Sequence, residues 1–223
     1  EKVDTCNLHI LQRAILFALG LVGTTSKNVT AKQHLKKHNR QTQLSRQSGS
    51  YLKWIKDAQT AAGVPEHHLK LPVRTSTTRW GNQFLQVSTD NLLRLAIDPA
   101  LEKYKRENKN NAEAIVEANE SEQGSKALGV AVAASDIGLS ASDWADSLEL
   151  EAFTLYPYDI KQTIETRGFC TGAQGMMLLH DLAHNFCDPA ATLSVKDFPA
   201  SLSVFDRERT EEIKQASDLS EMI

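Results

Sequence analysis

Three short constellations in this chain bring together residue types able to do chemistry. Cys6 and His9, three apart in Cys6-Asn7-Leu8-His9, share one face of any helix that carries them. There a thiol and an imidazole can hold a metal or flank a reacting phosphate, or else sit as a half-buried cysteine beside a capping or core histidine. Thr77-Thr78-Arg79-Trp80 places a guanidinium next to an indole. The first grips phosphate through paired hydrogen bonds and the second offers a broad face to an unpaired base. The same dipeptide can equally seat Trp80 in a core and leave Arg79 at the surface. His180, His184 and Cys187 follow an i, i+4, i+7 spacing with Cys170 upstream, so four zinc ligands can be drawn. An apolar stripe of Leu179, Ala183 and Phe186 runs alongside, and no tight Cys-x-x-Cys pair occurs, so zinc is not expected there.

The carboxylates form no catalytic set. Asp4, Asp90, Asp98 and Asp136 are scattered where helix capping accounts for them. Neither a glycine-rich phosphate loop nor a nucleophile elbow is present, and no cofactor is expected in this chain.

The elements that must position these groups read as helices. Leu8, Leu11, Ile15, Leu19 and Val22 repeat at three and four behind a capping Thr5, and Gly20 and Gly23 weaken and end the run. Residues 29–46 read as a polar, basic helix whose few apolar positions, Val29, Ala31, Leu35 and Leu44, demand packing against something else. Gly49 breaks the pattern, residues 51–62 resume it, and Gly63, Pro65 and Pro72 mark an irregular connection. Residues 74–78 suit an extended lead-in to a helix over 79–97, with Pro99 in the first turn of the next. Residues 103–123 are the most polar and form the best linker. An Ala-rich helix is expected over 127–134. Ser140 and Asp143 have capping-box spacing at the start of a helix to about residue 166, which Pro157 should kink or divide. Gly168 stops it, and further helices are predicted over 171–187 and 207–222.

The net charge of −3 conceals an asymmetry. Residues 27–80 hold eleven basic side chains against two acidic ones, whereas residues 81–223 hold twelve against twenty-four. A basic segment of this kind can neutralise phosphates and release counterions, although many charge runs are simply solvated helix faces. The longest apolar stretch, residues 14–23, is too short to cross a bilayer, so no membrane partner is expected. Three cysteines make a disulfide framework improbable and suit a soluble, reducing, intracellular setting. The start at Glu1 is read as that of a segment of a longer protein.

Taken together, the motifs resemble those of hobo–Activator-type (hAT) transposases. Cys6-Asn-Leu-His-Ile-Leu-Gln-Arg-Ala-Ile is similar to that family's Cys-x-x-His stretch, and Ser76-Thr-Thr-Arg-Trp-Gly-Asn-Gln-Phe to its Thr-Arg-Trp-Asn-Ser segment. Asp143-Trp144 through Leu155-Tyr-Pro157-Tyr to Ile164 resembles the helix before the family's Thr-rich turn. The likeness runs from about Thr5 to Phe186, strongest in the first hundred residues, with Gly81-Asn82 standing where Asn-Ser is usual. It implies a mainly α chain: the all-helical insertion domain of an RNase-H-like transposase, with only a remnant of the catalytic core at the N-terminus. The expected divisions are a core-edge helix at 1–26, a basic helical segment at 27–107, a linker at 108–125 and an acidic helical part at 126–223. The implied activity is that of a DNA-binding fragment, whose intact parent performs cut-and-paste strand transfer with three carboxylates and divalent magnesium. Those carboxylates are expected outside this chain, which is then inactive alone. The resemblance puts His9, with Cys6, near the active centre. Trp80 would stack on a flipped base while Arg79 steadies the backbone. Thr78, Lys32, Lys36, Lys37 and Arg40 complete the expected DNA contacts, with transposon ends as partner, a possible homo-oligomer and a nuclear location. The alternative is a non-catalytic, transposon-derived helical protein that dimerises or scaffolds.

Overall fold

A computed structural model describes residues 7–21, 28–73, 80–118, 137–166, 172–182, 184, 190, 192–198 and 200–202. They are mainly helical, with no strand among the described residues. The helices are α1 (Asn7–Ala18), α2 (Val29–Gln47), α3 (Gly49–Ala61), α4 (Trp80–Ala118), α5 (Ala141–Thr166) and α6 (Gly172–Asp181), with a 3-10 turn at Glu66–His68. The chain divides into two compact units. One comprises Glu1–Asn39, Val73–Ser88 and Leu139–Asp197; the other comprises Arg40–Pro72, Thr89–Gly138 and Phe198–Ile223.

In the first unit, α1 ends because Gly20 takes φ 71°, a left-handed conformation that side chains disfavour. Leu21 N–H then donates to Leu16 O at 2.8 Å and Gly20 N–H to Phe17 O at 3.0 Å, the paired bonds of a Schellman terminus. Asn28 opens α2 by accepting from Ala31 N–H at 3.0 Å, and its own amide donates to Ala18 O at 2.8 Å. The end of one helix is thereby tied to the start of the next. Leu11, Ile15, Leu16 and Leu19 form the buried stripe of α1. They join Leu35, Trp80, Phe84, Val87 and Ile160 in one apolar core, and α1 lies against both α5 and α6. Each such side chain stabilises the fold by about 1.5–3 kcal/mol on burial.

The predicted box at α5 forms: Ser140 N–H donates to Asp143 Oδ2 at 2.9 Å, and Asp143 N–H to Ser140 Oγ at 3.2 Å. Pro157 neither divides nor ends α5, which runs on to Thr166. A Cβ at position 81 would meet Lys161 Cε at 3.1 Å and Tyr158 Cε2 at 3.5 Å, so only the flexible lysine would have to give way.

In the second unit, Ser48 caps α3 by accepting from Tyr51 N–H at 3.2 Å. Tyr51 and Ile55 are fully buried, the former edge-on to Tyr104. Gln59 acts as a backbone substitute: its amide donates to Lys70 O at 2.8 Å and accepts from Lys70 N–H at 2.9 Å. This pairing fixes the irregular connection around Pro65.

Three expectations are corrected in α4. Pro99 does not begin a new helix but lies inside this one, on an exposed side shared with Leu95, so the carbonyl that loses its partner faces water. The expected linker is helical as far as Ala118. Asp90 and Asp98 are helix-interior residues rather than caps; Asp90 is buried, and Asp98 pairs with Arg94 at 3.3 Å. Each of the two compact units draws on non-contiguous stretches of the chain. The helices predicted over 127–134 and 207–222, and the lead-in at 74–78, lie outside the described residues. No helix among the described residues is long and apolar enough to cross a membrane.

Two glycines separate conformational need from simple proximity. Gly138 has φ 127°, and a Cβ on it would meet Leu101 Cδ2 at 2.6 Å. Gly138→Ala is expected to destabilise by more than about 1 kcal/mol, whereas Gly81→Ala gains helix propensity against a flexible lysine tip and stabilises by about 0.5 kcal/mol. Urea unfolding midpoints of the two variants check the opposite signs.

Candidate functional site

In the first unit, the inner face of α2 carries more polar groups than apolar ones, and they meet α5. His34 and His38, one turn apart, both reach the hydroxyl of Ser147. His34 Nε2 lies 2.8 Å and His38 Nε2 2.7 Å from Ser147 Oγ. His38 and Ser147 are 0% exposed. One hydroxyl has one proton and two lone pairs, so Ser147 donates to at most one imidazole and accepts Nε2–H from the other or from both. His38 also stands edge-on to His34, with ring centroids 5.0 Å apart, and to Trp144 at 6.1 Å.

The opposite nitrogen of His34, Nδ1, faces Asp143 Oδ1 at 3.9 Å, beyond hydrogen-bonding distance. Lys37 Nζ donates to that same oxygen at 2.6 Å. Asp146 completes a set with His34 and Asp143 whose ligating atoms all lie within 4.8 Å of one another. Burial pushes the His34 imidazole down to about 4, helped by neighbouring His38, while Asp143 and Asp146 oppose the shift. For Asp143, burial acts upward. Hydrogen bonds from Lys37 and from the Ser140 N–H and hydroxyl, with the Lys37 charge, outweigh it and hold the carboxyl at about 2. At neutral pH the cluster is a neutral His34 imidazole beside the ionised Asp143 carboxylate. A serine between two histidines resembles a nucleophile and its base, but this serine has no exposed surface for a substrate to reach. What the arrangement can do is hold a cation and join two helices.

The residues singled out by sequence are distributed as follows. Trp80 is 1% exposed, set in the apolar core edge-on to Tyr158 with ring centroids 6.2 Å apart. This corrects the stacking role: the indole has no face open to a base here, because α1, α4 and α5 close around it. His9 is exposed in the first turn of α1, and the apolar stripe of that helix shares its core with Trp80. The helices bearing the two motifs are thus brought into one core. Lys32 and Lys36 are exposed in α2, as is Arg40 further along the same helix. Lys37, also exposed, is paired with Asp143. Cys6, Thr78 and Arg79 lie outside the described residues, as do Cys170 and Cys187; the exposed rings of His180 and His184 stand 4.1 Å apart.

Sequence reasoning missed His34, His38, Ser147 and Asp146. The signal was present: two histidines at i, i+4 flank Leu35 on a helix short of apolar residues. No protein-family model, curated protein or solved structure matches this chain.

The two shifted groups give an acid-labile fold. His34 is depressed below its ordinary value near 6.5, so its contribution is complete above that pH and is lost as pH falls toward 4. Asp143 adds a second loss between about 4 and 2. The His34 step is on the order of 3 kcal/mol, because each tenfold change in proton affinity is worth about 1.4 kcal/mol. Melting temperatures from pH 7.5 to 4.5 should fall steeply in the parent chain and more shallowly in His34→Gln, which keeps a polar group toward Ser147 without titrating.

Proposed function

We propose that this chain is a DNA-binding portion of a hAT-type transposase-like protein, corresponding to the helical insertion of an RNase-H-like core. One observation carries the reading. The Cys-x-x-His helix and the Thr-Arg-Trp helix, about seventy residues apart in sequence, pack into a single apolar core. The exposed Lys32 and Lys36 of α2 supply a basic face in the same unit, suited to a phosphate backbone. Arg40 extends the same exposed, basic character along α2. Contacts of this kind position DNA without reading its sequence.

The strand-transfer chemistry itself is not assigned to this chain. Such chemistry needs three carboxylates for two divalent ions. Among the described residues, the one group of converging metal-ligating side chains has two carboxylates and a histidine, with a lysine already bound to one carboxylate. That set does not fit two magnesium ions, so no step is routed through it. Trp80 acts in this reading as the anchor that fixes the start of α4, and any base stacking would require the indole to leave its seat.

The alternative, a transposon-derived helical protein that self-associates, is favoured by a different observation. Ile10 and Phe17 on α1, and Met176 and Met177 on α6, are large apolar side chains left exposed, Met177 at 72%.

Electrophoretic shifts across a salt series test the leading reading. The folded chain should bind duplex DNA with salt-sensitive affinity, and Lys32→Glu with Lys36→Glu should lower the slope of log affinity against log salt by about two. An unaltered slope, or no affinity at low salt, would overturn it. Trp80→Ala should cost about 3–5 kcal/mol of stability as a core deletion. Trp80→Phe, which keeps a ring in the core, should bind hairpin-ended and plain duplexes with the same ratio as the parent.

A further inference from the structure

We propose that His34, Asp143 and Asp146 form a zinc site that clips α2 to α5. The chemistry of the donor set is the starting point. One imidazole nitrogen and two carboxylates are nitrogen and oxygen ligands of the kind zinc accepts, with a fourth position left to water. Zinc bonds of about 2.0–2.2 Å place neighbouring ligand atoms roughly 3–4 Å apart. Here the three ligating atoms already lie within 4.8 Å of one another, and His34 Nδ1 stands 3.9 Å from Asp143 Oδ1. Small side-chain rotations close the remaining gap.

The more telling observation is how the ligands are held from behind. His34 is buried, and its Nε2 is fixed by Ser147, which His38 fixes in turn. Among the described residues its Nδ1 makes no hydrogen bond, and it faces Asp143 Oδ1 at 3.9 Å. If Nε2 carries the proton and donates it to Ser147 Oγ, His34 Nδ1 is left with a bare lone pair. Asp143 is held in the same manner: Oδ2 accepts from the Ser140 N–H at 2.9 Å and hydroxyl at 2.8 Å, leaving Oδ1 to face the site. Partners of this sort orient metal ligands and set their tautomers. Asp146, exposed and one turn along α5 from Asp143, supplies the third arm.

Lys37 is the resident cation. Its ammonium sits on Asp143 Oδ1 at 2.6 Å, where the metal would bind, so zinc must displace it. The side chain is 45% exposed and can swing into solvent. Lys37 thereby sets a threshold, keeping the carboxylate paired until zinc is abundant enough to compete.

The test is calorimetric titration of the intact chain with zinc chloride, paired with melting curves in zinc and in EDTA. The parent should bind zinc and melt at higher temperature with it, as expected for a ligand that recognises only the folded state. Asp146→Asn alters an exposed side chain and leaves folding in place. It should weaken the affinity of this site by about tenfold or more and abolish most of the melting shift. Lys37→Met removes the competitor and should tighten binding several-fold. Imidazole nitrogen resonances should show His34 Nδ1, and not the His180–His184 pair, changing on zinc addition. Zinc affinity unchanged in Asp146→Asn, zinc signals confined to His180 and His184, or weaker binding in Lys37→Met would each overturn the proposal.

Discussion

A helix with few apolar side chains buries polar groups along its inner face, and each that finds a partner there lowers the cost. α2 is that helix: Leu35 and Leu44 are its large buried apolar residues, and His34, His38, Gln41, Thr42 and Ser45 are buried with them. Near its N-terminal end the solution is one hydroxyl shared by two imidazoles. An unsatisfied buried polar group costs about 1–3 kcal/mol, so Ser147 matters less for the bonds it adds than for the two nitrogens it prevents from being stranded. The constraint passes outward. His34 is held at one nitrogen and so presents the other to Asp143, which α5 has already fixed through its own N-terminal cap. Local capping chemistry and long-range packing meet on one carboxylate.

The same unit shows how a residue type suited to nucleic acid can be committed to folding. Trp80 is, with Trp144, one of the two largest fully buried side chains among the described residues, set among aliphatics of α1 and rings of α4 and α5. Its role here is that of a packing anchor, which fixes the first turn of α4. Basic residues follow a similar division. Lys32 and Lys36 remain on the outer face, whereas Lys37, one residue on, rotates toward α5 and is neutralised there. A run of charge in the sequence is therefore divided by helical geometry into outward and inward functions.

Much of the helix architecture was legible because local signals dominate it. Gly20 and the Ser140/Asp143 pair act within a few residues, and the end of α1 and the start of α5 follow them. Pro99 and Pro157 misled for a related reason. A proline removes one hydrogen bond, but a long helix packed on both sides of that point continues past it, and packing cannot be seen in a local window. The candidate cluster was legible only in part, because its two halves, one on α2 and one on α5, lie 106 to 113 residues apart. Histidine in a lysine-rich helix reads as one more polar residue until the partner helix is in place. Trp80 illustrates the converse, since composition alone permits both a core seat and a stacking surface, and burial decides between them.

Asn28 carries a consequence for how the first unit tolerates chemical ageing. The two ends of its side-chain amide face in opposite electrical senses, the oxygen toward an N–H of α2 and the nitrogen toward the last-turn carbonyl of α1. Hydrolysis of that amide to a carboxylate would preserve the first contact, and even strengthen it at a helix start. It would set like partial charges against each other in the second. A change of one mass unit, invisible to any measure of helix content, would then convert the fastening between two successive helices into a point of repulsion.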